Sequence, residues 1–189
     1  INHVMQIIII YLIGFGGSGK LTIAHVIQKI MPATLVDNHH INNVIFGVIE
    51  NDRMTPFPKG VWKSIRKIRT IVFDAIEKFA KPQQNFIFTN ELIKGDSGDR
   101  KLFNEVAKLA AKRKATFLPV RLLISPEELC RRIISPERAK RLKGMNAEEA
   151  HEKAKNSQVL IPKKPYFEID ISDLSAKESA KRILEALKK

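Results

Sequence analysis

The sequence predicts an α/β fold of three layers, in which a five-stranded parallel sheet carries helices on both faces. Short apolar runs alternate along the chain with longer segments whose apolar residues recur every three or four positions, which is typical of alternating strands and helices. The 189 residues are enough for one domain with a full core, because a chain of this length buries about 70% of its unfolded surface. No internal repeat divides the sequence, so we expect a single domain over residues 1–189.

The composition limits the class of protein. The net charge of +13 indicates partners of opposite sign. Its basic residues are spread over many predicted helices with few aromatic residues among them, which favours nucleotide phosphates and an ordinary basic surface over a nucleic-acid interface. The single cysteine, Cys130, lies in a predicted helix and suits a reducing cytoplasm. No apolar run reaches the ~18–20 residues of a membrane span, so we expect a cytoplasmic protein without a membrane partner.

A glycine-rich stretch lies between the apolar run 7–13, the first predicted strand, and the segment 23–30, whose apolar residues have helical spacing. Glycines allow successive N–H groups to surround an anion, and the helix that follows adds the positive end of its dipole. The spacing G-x-x-x-x-G-K is matched by Gly14, Gly19 and Lys20. The sequence therefore predicts a phosphate-binding loop. Its residues are Gly14, Gly16, Gly17, Ser18, Gly19, Lys20, Leu21 and Thr22.

One position departs from this pattern. The residue after the lysine is normally Ser or Thr, whose hydroxyl binds Mg²⁺, but here it is Leu21, and the hydroxyl follows at Thr22. Magnesium usually keeps several waters and takes further oxygens from the substrate phosphates. We therefore expect a weakened magnesium site rather than none.

The second predicted strand, residues 33–36, ends in Asp37 and Asn38. Ligands of parallel sheets bind at the carboxyl ends of the strands, so Asp37 is a candidate to orient an acceptor hydroxyl or take its proton. Alternatively, Asp37 or Asn38 caps the helix that follows. His39 and His40 are adjacent and cannot share a helical face, which argues against zinc and leaves a substrate contact from one of them open.

A long helix is predicted over 61–79. Its apolar stripe consists of Val61, Ile65, Ile68, Val72, Ala75 and Phe79. Arg66 and Arg69 lie on a neighbouring line of the same helix. Two arginines on one face suit an anionic or phosphorylated acceptor, and solvated surface arginines are the alternative.

The third predicted strand, residues 85–89, ends in Asn90 and Glu91. A carboxylate at this strand end commonly holds magnesium, often through water. The expected aspartate is missing, and Glu91 is the nearest substitute, so we regard it as a candidate for both metal and acceptor binding. Ser97 or Asp99 is expected to cap the next helix.

The remaining elements have clear boundaries. The fourth strand is expected over 116–124, with an irregular start caused by Pro119. Ser125 is the predicted N-cap of the next helix, with Glu128 completing a capping box. A polar helix is predicted over 147–157 and a fifth strand over 166–171. Ser175 is the predicted N-cap of the last helix.

A basic segment lies between the fourth and fifth strands, with six basic residues within positions 131–143. We expect a short lid over about 134–147 that closes over a nucleotide and neutralises charge on the transferred phosphoryl group. Arg138 and Arg141, at i and i+3, would share a helical face. A solvated helix and a nucleic-acid patch are the alternatives.

These features together resemble the small P-loop kinases, a group that includes shikimate kinase, gluconate kinase, adenylate kinase and chloramphenicol phosphotransferase. The resemblance rests on the glycine-rich loop, the acidic end of the second strand, the arginine-rich segment and the late strand that ends Ile169-Asp170-Ile171-Ser172. The order of strands and helices matches this group over nearly the whole chain, but only the glycine-rich loop is a specific motif. It implies a P-loop NTPase fold, ATP and Mg²⁺ as cofactors, and transfer of the γ-phosphoryl group to a small-molecule acceptor.

The resemblance also implies roles for individual residues. Gly14, Gly19 and Lys20 would hold the β- and γ-phosphates, and Asp37 would orient the acceptor. Thr22 takes the position whose hydroxyl touches the innermost phosphate.

The same resemblance makes Arg138 and Arg141 the lid arginines, which with Lys20 and Asp37 form the expected catalytic set. Thr22 and Glu91 are the candidate metal ligands.

The chain departs from shikimate kinase itself. Its third strand ends Thr89-Asn90-Glu91 where shikimate kinase has a glycine triplet, and the aspartate pair on the second strand is reduced to Asp37-Asn38. The nucleotide-acceptor motifs of adenylate kinase are not recognisable either. The resemblance therefore leaves the acceptor open.

Two other functions remain open on the sequence. One is a nucleotide-binding regulator with little or no turnover, which Leu21 and the absent strand-end aspartate favour. The other is a kinase of nucleotide or nucleic-acid ends, which the positive charge favours. The expected partners are a nucleotide and a small-molecule acceptor, acting on a monomer or a homodimer.

Overall fold

The structure, a computed structural model, describes residues 6–50, 55, 57–134 and 146–188. Its strands are β1 (Ile8–Ile13), β2 (Thr34–Asp37), β3 (Phe86–Asn90), β4 (Thr116–Leu123) and β5 (Phe167–Asp170). Its helices in these ranges are α1 (Lys20–Ile30), α2 (Asn38–Phe46), α3 (Lys59–Phe79), α4 (Ser97–Lys112), α5 (Pro126–Ile133), α6 (Ala147–Asn156) and α7 (Ala176–Ala186).

The five strands form one sheet in the order β2-β3-β1-β4-β5, and every pair is parallel. The predicted five-stranded parallel sheet is therefore confirmed. Strand β1 lies at its centre, where residues 9–13 have no exposed surface. A strand covered on both faces must be apolar on both, which explains why β1 is an unbroken apolar run in the sequence.

Helices cover both faces of the sheet, as predicted. Side chains of a strand alternate between the two faces, so β1 contributes to two separate cores. Ile9, Tyr11 and Ile13 pack with residues of α3, α4, α5 and α6. Ile10 and Leu12 pack on the opposite face with residues of α1 and α7. Strand β1 is thus the common wall of both cores.

The long helix α3 forms as expected, but the last two positions of its predicted apolar stripe are wrong. Ala75 and Phe79 are exposed, Phe79 with 82% of its surface in solvent. Phe73 and Ile76 enter the core instead. The first half of α3 packs with residues of α2, whereas the second half packs on the sheet core, so the buried face shifts along the helix.

Pro119 lies inside β4, paired in register with Tyr11 of β1, and the irregular strand start that we predicted does not occur. The backbone explains this. Thr116 donates to the carbonyl of Ile7, so its N–H points towards β1, and because backbone groups alternate in direction the nitrogen of Pro119 points the other way. Pairing with β5 begins only at Val120, one residue beyond the proline. The missing N–H therefore costs no strand hydrogen bond.

The helix caps were predicted in part. Asp96, rather than Ser97 or Asp99, caps α4 by accepting from the Asp99 N–H. Ser175 caps α7 with a complete capping box, as predicted. Ser125 caps α5 by accepting from the Glu128 N–H at 3.2 Å.

The capping box predicted for α5 is wrong. The Ser125 N–H donates to the Ser172 hydroxyl at 2.9 Å, which ties the start of α5 to the end of β5. The Glu128 carboxylate binds Arg131 and Arg132 instead of the Ser125 N–H. Helix α6 packs beside α5, where the Cys130 thiol lies 3.5 Å from the Ala147 carbonyl. Cys130 is a helix residue, as expected.

The carboxyl of Asp99 gives a prediction about stability and pH. Burial is the main reason that its pKa rises from 3.8 to about 6, although the Ile93 N–H donates to the carboxylate and opposes the rise. The folded state therefore binds more protons than the unfolded state between pH 4 and 6, and the free energy of unfolding contributed by Asp99 falls as pH rises through this window. Asp99→Asn removes that loss. Relative to wild type, the variant should gain about 1 kcal/mol between pH 4 and pH 7 in chemical denaturation, a figure reduced for solvent screening. If the free energies of unfolding of the two proteins change with pH in parallel, the raised pKa of Asp99 is contradicted.

Candidate functional site

The loop between β1 and α1 has the backbone geometry that an anion site requires. Gly17 and Gly19 adopt left-handed conformations, with φ of 94° and 91°. Ser18 lies fully buried between them. Gly19 is the N-cap of α1 and has no side chain with which to cap the first turn, whose N–H groups therefore point at the loop without a capping side chain. The predicted phosphate-binding loop thus opens directly into a helix N-terminus.

Gly14 fixes the loop to the rest of the sheet. A Cβ atom at this position would lie 2.9 Å from the Ser18 hydroxyl and 3.2 Å from Cβ of Leu122 in β4. The Gly14 N–H donates to the Asn90 carbonyl at 3.3 Å, which joins the loop to the end of β3. The loop therefore starts in a space with no room for a side chain.

The Lys20 ammonium folds across this loop. It donates to the carbonyls of Gly14 at 2.8 Å and Phe15 at 2.7 Å, and it lies 3.5 Å from the Ser18 hydroxyl. A point charge held at the loop favours an anion there.

Glu91 brings a negative charge to the same loop. Burial alone would raise the pKa of its carboxyl, but Lys153, Lys20 and the Gly16 N–H together outweigh burial and lower it. The Lys153 ammonium lies 3.0 Å from the Glu91 carboxylate. Glu91 is therefore an ionised carboxylate between two lysines, at the edge of the predicted phosphate site.

These residues fit a magnesium ion held mainly by substrate. In the part of the chain that the structure describes, no group of three or more His, Cys, Asp and Glu side chains is arranged to bind a metal. Magnesium needs only one or two protein carboxylates when it is bound with a nucleotide, and Glu91 can supply one. Leu21 has no oxygen to offer in its side chain, and Thr22 lies exposed on α1 with its hydroxyl in the sequence position predicted for phosphate or metal.

Asp37 is the last residue of β2 and is 5% exposed. Its carboxylate accepts a hydrogen bond from the Thr89 hydroxyl of β3. Although it occupies the N-cap position of α2, its side chain makes no capping hydrogen bond. Of the two roles open on the sequence, capping by Asp37 is therefore wrong.

A chain of polar side chains connects the strand ends across the sheet. The Tyr11 hydroxyl donates to Asn90 at 3.0 Å, and the Asn90 amide donates to the Asn38 side chain at 2.8 Å. Arg69 of α3 donates to the same Asn38 oxygen at 3.3 Å. The sequence analysis assigned Asn38 only an alternative role as a helix cap and assigned Asn90 none, although both stand at strand ends. Their contact joins residues 52 positions apart, which sequence spacing does not reveal.

The two arginines predicted on α3 have different surroundings. Arg69 is half-buried beside the polar chain, and burial is the main cause that lowers the pKa of its guanidinium. Within the described residues its side chain forms a hydrogen bond to Asn38 and no ion pair. Arg66 lies exposed on the same helix. The structure therefore places Arg69, and not Arg66, at the strand ends.

Arg132 is a further residue at the loop that the sequence analysis counted only as part of a basic segment. Its guanidinium donates to the carbonyls of Ser18 at 3.3 Å and Ile171 at 3.0 Å, and it pairs with Glu128 at 2.6 Å. The hydrogen bonds from Arg131 and Arg132 lower the pKa of Glu128 to about 2. Arg132 thus joins α5, the loop and the end of β5.

The predicted lid is only partly covered by the structure. Arg138 and Arg141 lie outside the described residues, as does the whole of 135–145. Their roles stay predictions.

In the described ranges, none of the helices is both long and apolar enough to cross a bilayer.

Several solved structures with a similar fold are named as kinases. A protein from Chloroflexus aurantiacus J-10-fl that has been assigned as a kinase matches with a TM-score of 0.68 and 14% identity, over 98% of both chains. Shikimate kinase from Acinetobacter baumannii, solved with shikimate, matches with a TM-score of 0.55 and 15% identity, over 97% of this chain and 94% of its own. A gluconokinase from Sinorhizobium meliloti 1021 matches with a TM-score of 0.57 and 12% identity, over 97% and 93%.

No protein-family model matches the chain, and no curated protein matches it in sequence. The structural matches extend over nearly the full length of both partners, and together with the parallel sheet they show that this chain has the small P-loop kinase fold. The expected fold class is thereby confirmed. At identities of 12–15% the likeness concerns the fold alone.

A left-handed glycine of the loop and a left-handed glycine outside it together give a test of the loop. Gly19 and Gly95 have nearly equal φ values, 91° and 89°, and an added Cβ would meet no atom closer than 3.5 Å at either position. Alanine at each should therefore cost a similar backbone strain of about 1–2 kcal/mol, measured by thermal unfolding. Only Gly19→Ala should also weaken ATP binding, by about tenfold or more, because it redirects N–H groups of the loop. Equal ATP affinities in the two variants would argue against an anion site at this loop.

Proposed function

We propose that this protein is an ATP-dependent kinase that transfers the γ-phosphoryl group to a small hydroxylated, anionic acceptor. The observation that carries the proposal is the placement of the loop 14–20 at the same sheet edge as Asp37, Asn90 and Arg69. The likeness in fold to small-molecule kinases over nearly the full chain supports it.

The loop would hold the nucleotide. Its N–H groups and the start of α1 would surround the β- and γ-phosphates, and Lys20 would turn from its carbonyl partners to the outer phosphoryl groups. Thr22 would contact the innermost phosphate. Magnesium, when bound, would neutralise the phosphate oxygens, with Glu91 as the protein carboxylate nearest to it.

Asp37 would act on the acceptor. A carboxylate at the end of β2 can accept the proton of an acceptor hydroxyl or hold that hydroxyl in line with the γ-phosphate. The Thr89 hydroxyl occupies one of its oxygens and fixes its orientation, so the carboxylate would need no rearrangement before the reaction.

Arg69 would bind a negative group of the acceptor. Its charge lies half-buried, and Asn38 orients it with a neutral oxygen and therefore without neutralising it. A carboxylate or phosphate is the natural partner of such a guanidinium. Arg66 and Glu91 could add further acceptor contacts from the rim.

The chemistry of transfer would rest on positioning and charge. Phosphoryl transfer needs little covalent work from the protein, because its transition state is stabilised mainly by aligned cations and N–H groups. Arg138 and Arg141 are predicted to supply part of that charge from the segment that follows α5.

A second function, nucleotide binding without turnover, is favoured by Leu21 and by the ion pair of Glu91. Both would weaken metal binding, which transfer needs more than nucleotide binding does. A kinase of nucleic-acid ends rests on the net charge alone. If it applied, oligonucleotide binding would weaken steeply between low and physiological salt.

ATP consumption by the pure protein with magnesium tests the proposal, with and without pooled metabolites. Turnover that appears only with one pool, and disappears in Lys20→Ala, would establish a kinase and begin to identify the acceptor. ATP binding without turnover in any pool would favour the regulator. In that case, a gain of turnover in Leu21→Ser would attribute the loss to the missing hydroxyl.

Once an acceptor is found, Arg69→Met should raise its KM by about 30-fold, since a charged hydrogen bond to a buried partner contributes about 2 kcal/mol. The KM for ATP should stay unchanged. Lys67→Met is the matched control, because Lys67 lies exposed on the same helix and carries the same charge. If Arg69→Met and Lys67→Met raise the acceptor KM equally, Arg69 is a surface charge and not an acceptor ligand.

A further inference from the structure

Lys153 contacts the phosphate loop indirectly, through a carboxylate. It lies on α6, and its ammonium is 3.0 Å from a carboxylate oxygen of Glu91. The side chains of Lys153 and Glu91 are 40% and 32% exposed. Lys20 and the Gly16 N–H act on the same carboxylate from the side of the loop. Lys153 is therefore the second cation on a carboxylate that faces the predicted phosphate site.

The position of Lys153 is set by the fold. The chain after α6 returns to the end of β3, where the Leu160 N–H donates to the Leu92 carbonyl at 2.9 Å. Two residues further along, the Lys94 N–H donates to the Gln158 carbonyl at 2.8 Å. On α6 itself, one turn before Lys153, Ala150 is buried in the core shared with β1. Helix α6 is thus anchored next to Glu91 by backbone hydrogen bonds as well as by packing.

The charge of Glu91 creates a conflict with a polyphosphate ligand. Like charges repel each other, and the Glu91 carboxylate lies at the loop itself, where it accepts from the Gly16 N–H. The conflict is removed if a cation stays on Glu91. A divalent metal is the usual cation in such a site, but this chain lacks the hydroxyl that normally follows the lysine, because Leu21 stands there.

We propose that Lys153 and a divalent cation compete for Glu91, so that Lys153 sets how strongly nucleotide binding depends on magnesium. Without metal, Lys153 neutralises Glu91 and allows the loop to accept metal-free ATP. With metal, Lys153 yields the carboxylate. Lys153 is in this view a positioning residue that acts through Glu91, and the inference rests on the proposed binding of ATP at the loop.

The test compares the dissociation constant of ATP in EDTA with that in excess Mg²⁺, by titration calorimetry. In Lys153→Met, Glu91 loses the ammonium of α6, so metal-free ATP should bind at least about tenfold more weakly while Mg·ATP changes little. The ratio of the dissociation constant in EDTA to that in excess Mg²⁺ should therefore rise by about tenfold. Lys153→Arg should keep the wild-type ratio.

Lys155→Met is the matched control, because Lys155 lies exposed on the same helix and its loss changes the net charge equally. It should leave the ratio at the wild-type value. Glu91→Gln should lower the ratio, and adding Lys153→Met to Glu91→Gln should have no further effect, as expected of two residues that act as a pair.

The failure of this inference can be separated from the failure of the proposed function. Wild-type protein that binds no ATP in either buffer would overturn both. Wild-type protein that binds ATP, together with a Lys153→Met ratio equal to that of Lys155→Met, would overturn only the role of Lys153. An unchanged effect of Lys153→Met in the Glu91→Gln background would also overturn it, because Lys153 would then not act through Glu91.

Discussion

The site depends on one steric constraint, the close approach of the chain at Gly14 to its neighbours. A methyl group there would collide with the Ser18 hydroxyl and press on Leu122 of β4. The same residue is hydrogen-bonded to the end of β3, so three adjacent strands meet around a position without a side chain. Because β1 is buried on both faces, the loop that leaves it cannot shift sideways. Gly14 therefore fixes the position of the loop relative to the start of α1, to Glu91 and to the polar chain through Asn90.

The charged groups near the loop differ between its two sides in the kind of partner that holds them. On the side of the loop, N–H groups and Lys20 favour an anion, and Arg132 holds the loop from outside through its carbonyl contacts. On the side of β2, Arg69 is held by the Asn38 amide, a neutral partner that orients the charge without cancelling it. Neutral partners preserve charge for a ligand, whereas ion pairs consume it. This difference favours a binding role for Arg69 over a purely structural one.

The sequence predicted best what is local. The strand, the glycine turn and the helix of the loop all lie within residues 8–30, and their periodicity and glycine spacing are sufficient to place them. The alternation of elements also predicted the parallel sheet. What the sequence could not show are contacts between distant residues: Asn38 with Asn90, Arg132 with Ser18, and Lys153 with Glu91. The capping box at Ser125 failed for the same reason, because Ser172 from β5 takes the N–H that local geometry assigns to Glu128.

The two departures from the usual magnesium site are best understood together. Leu21 removes a hydroxyl ligand, and Glu91 replaces the strand-end aspartate, which taken singly would each weaken metal binding. Glu91, however, has one more methylene than aspartate, and its carboxylate lies 3.0 Å from the Lys153 ammonium of α6. A lysine thus occupies the carboxylate that a metal ion would otherwise bind. If Lys153 stays on Glu91 when metal is absent, as proposed, the loop can accept nucleotide before metal. For this reason the departures favour an altered order of binding at a working loop over the decay of an unused one.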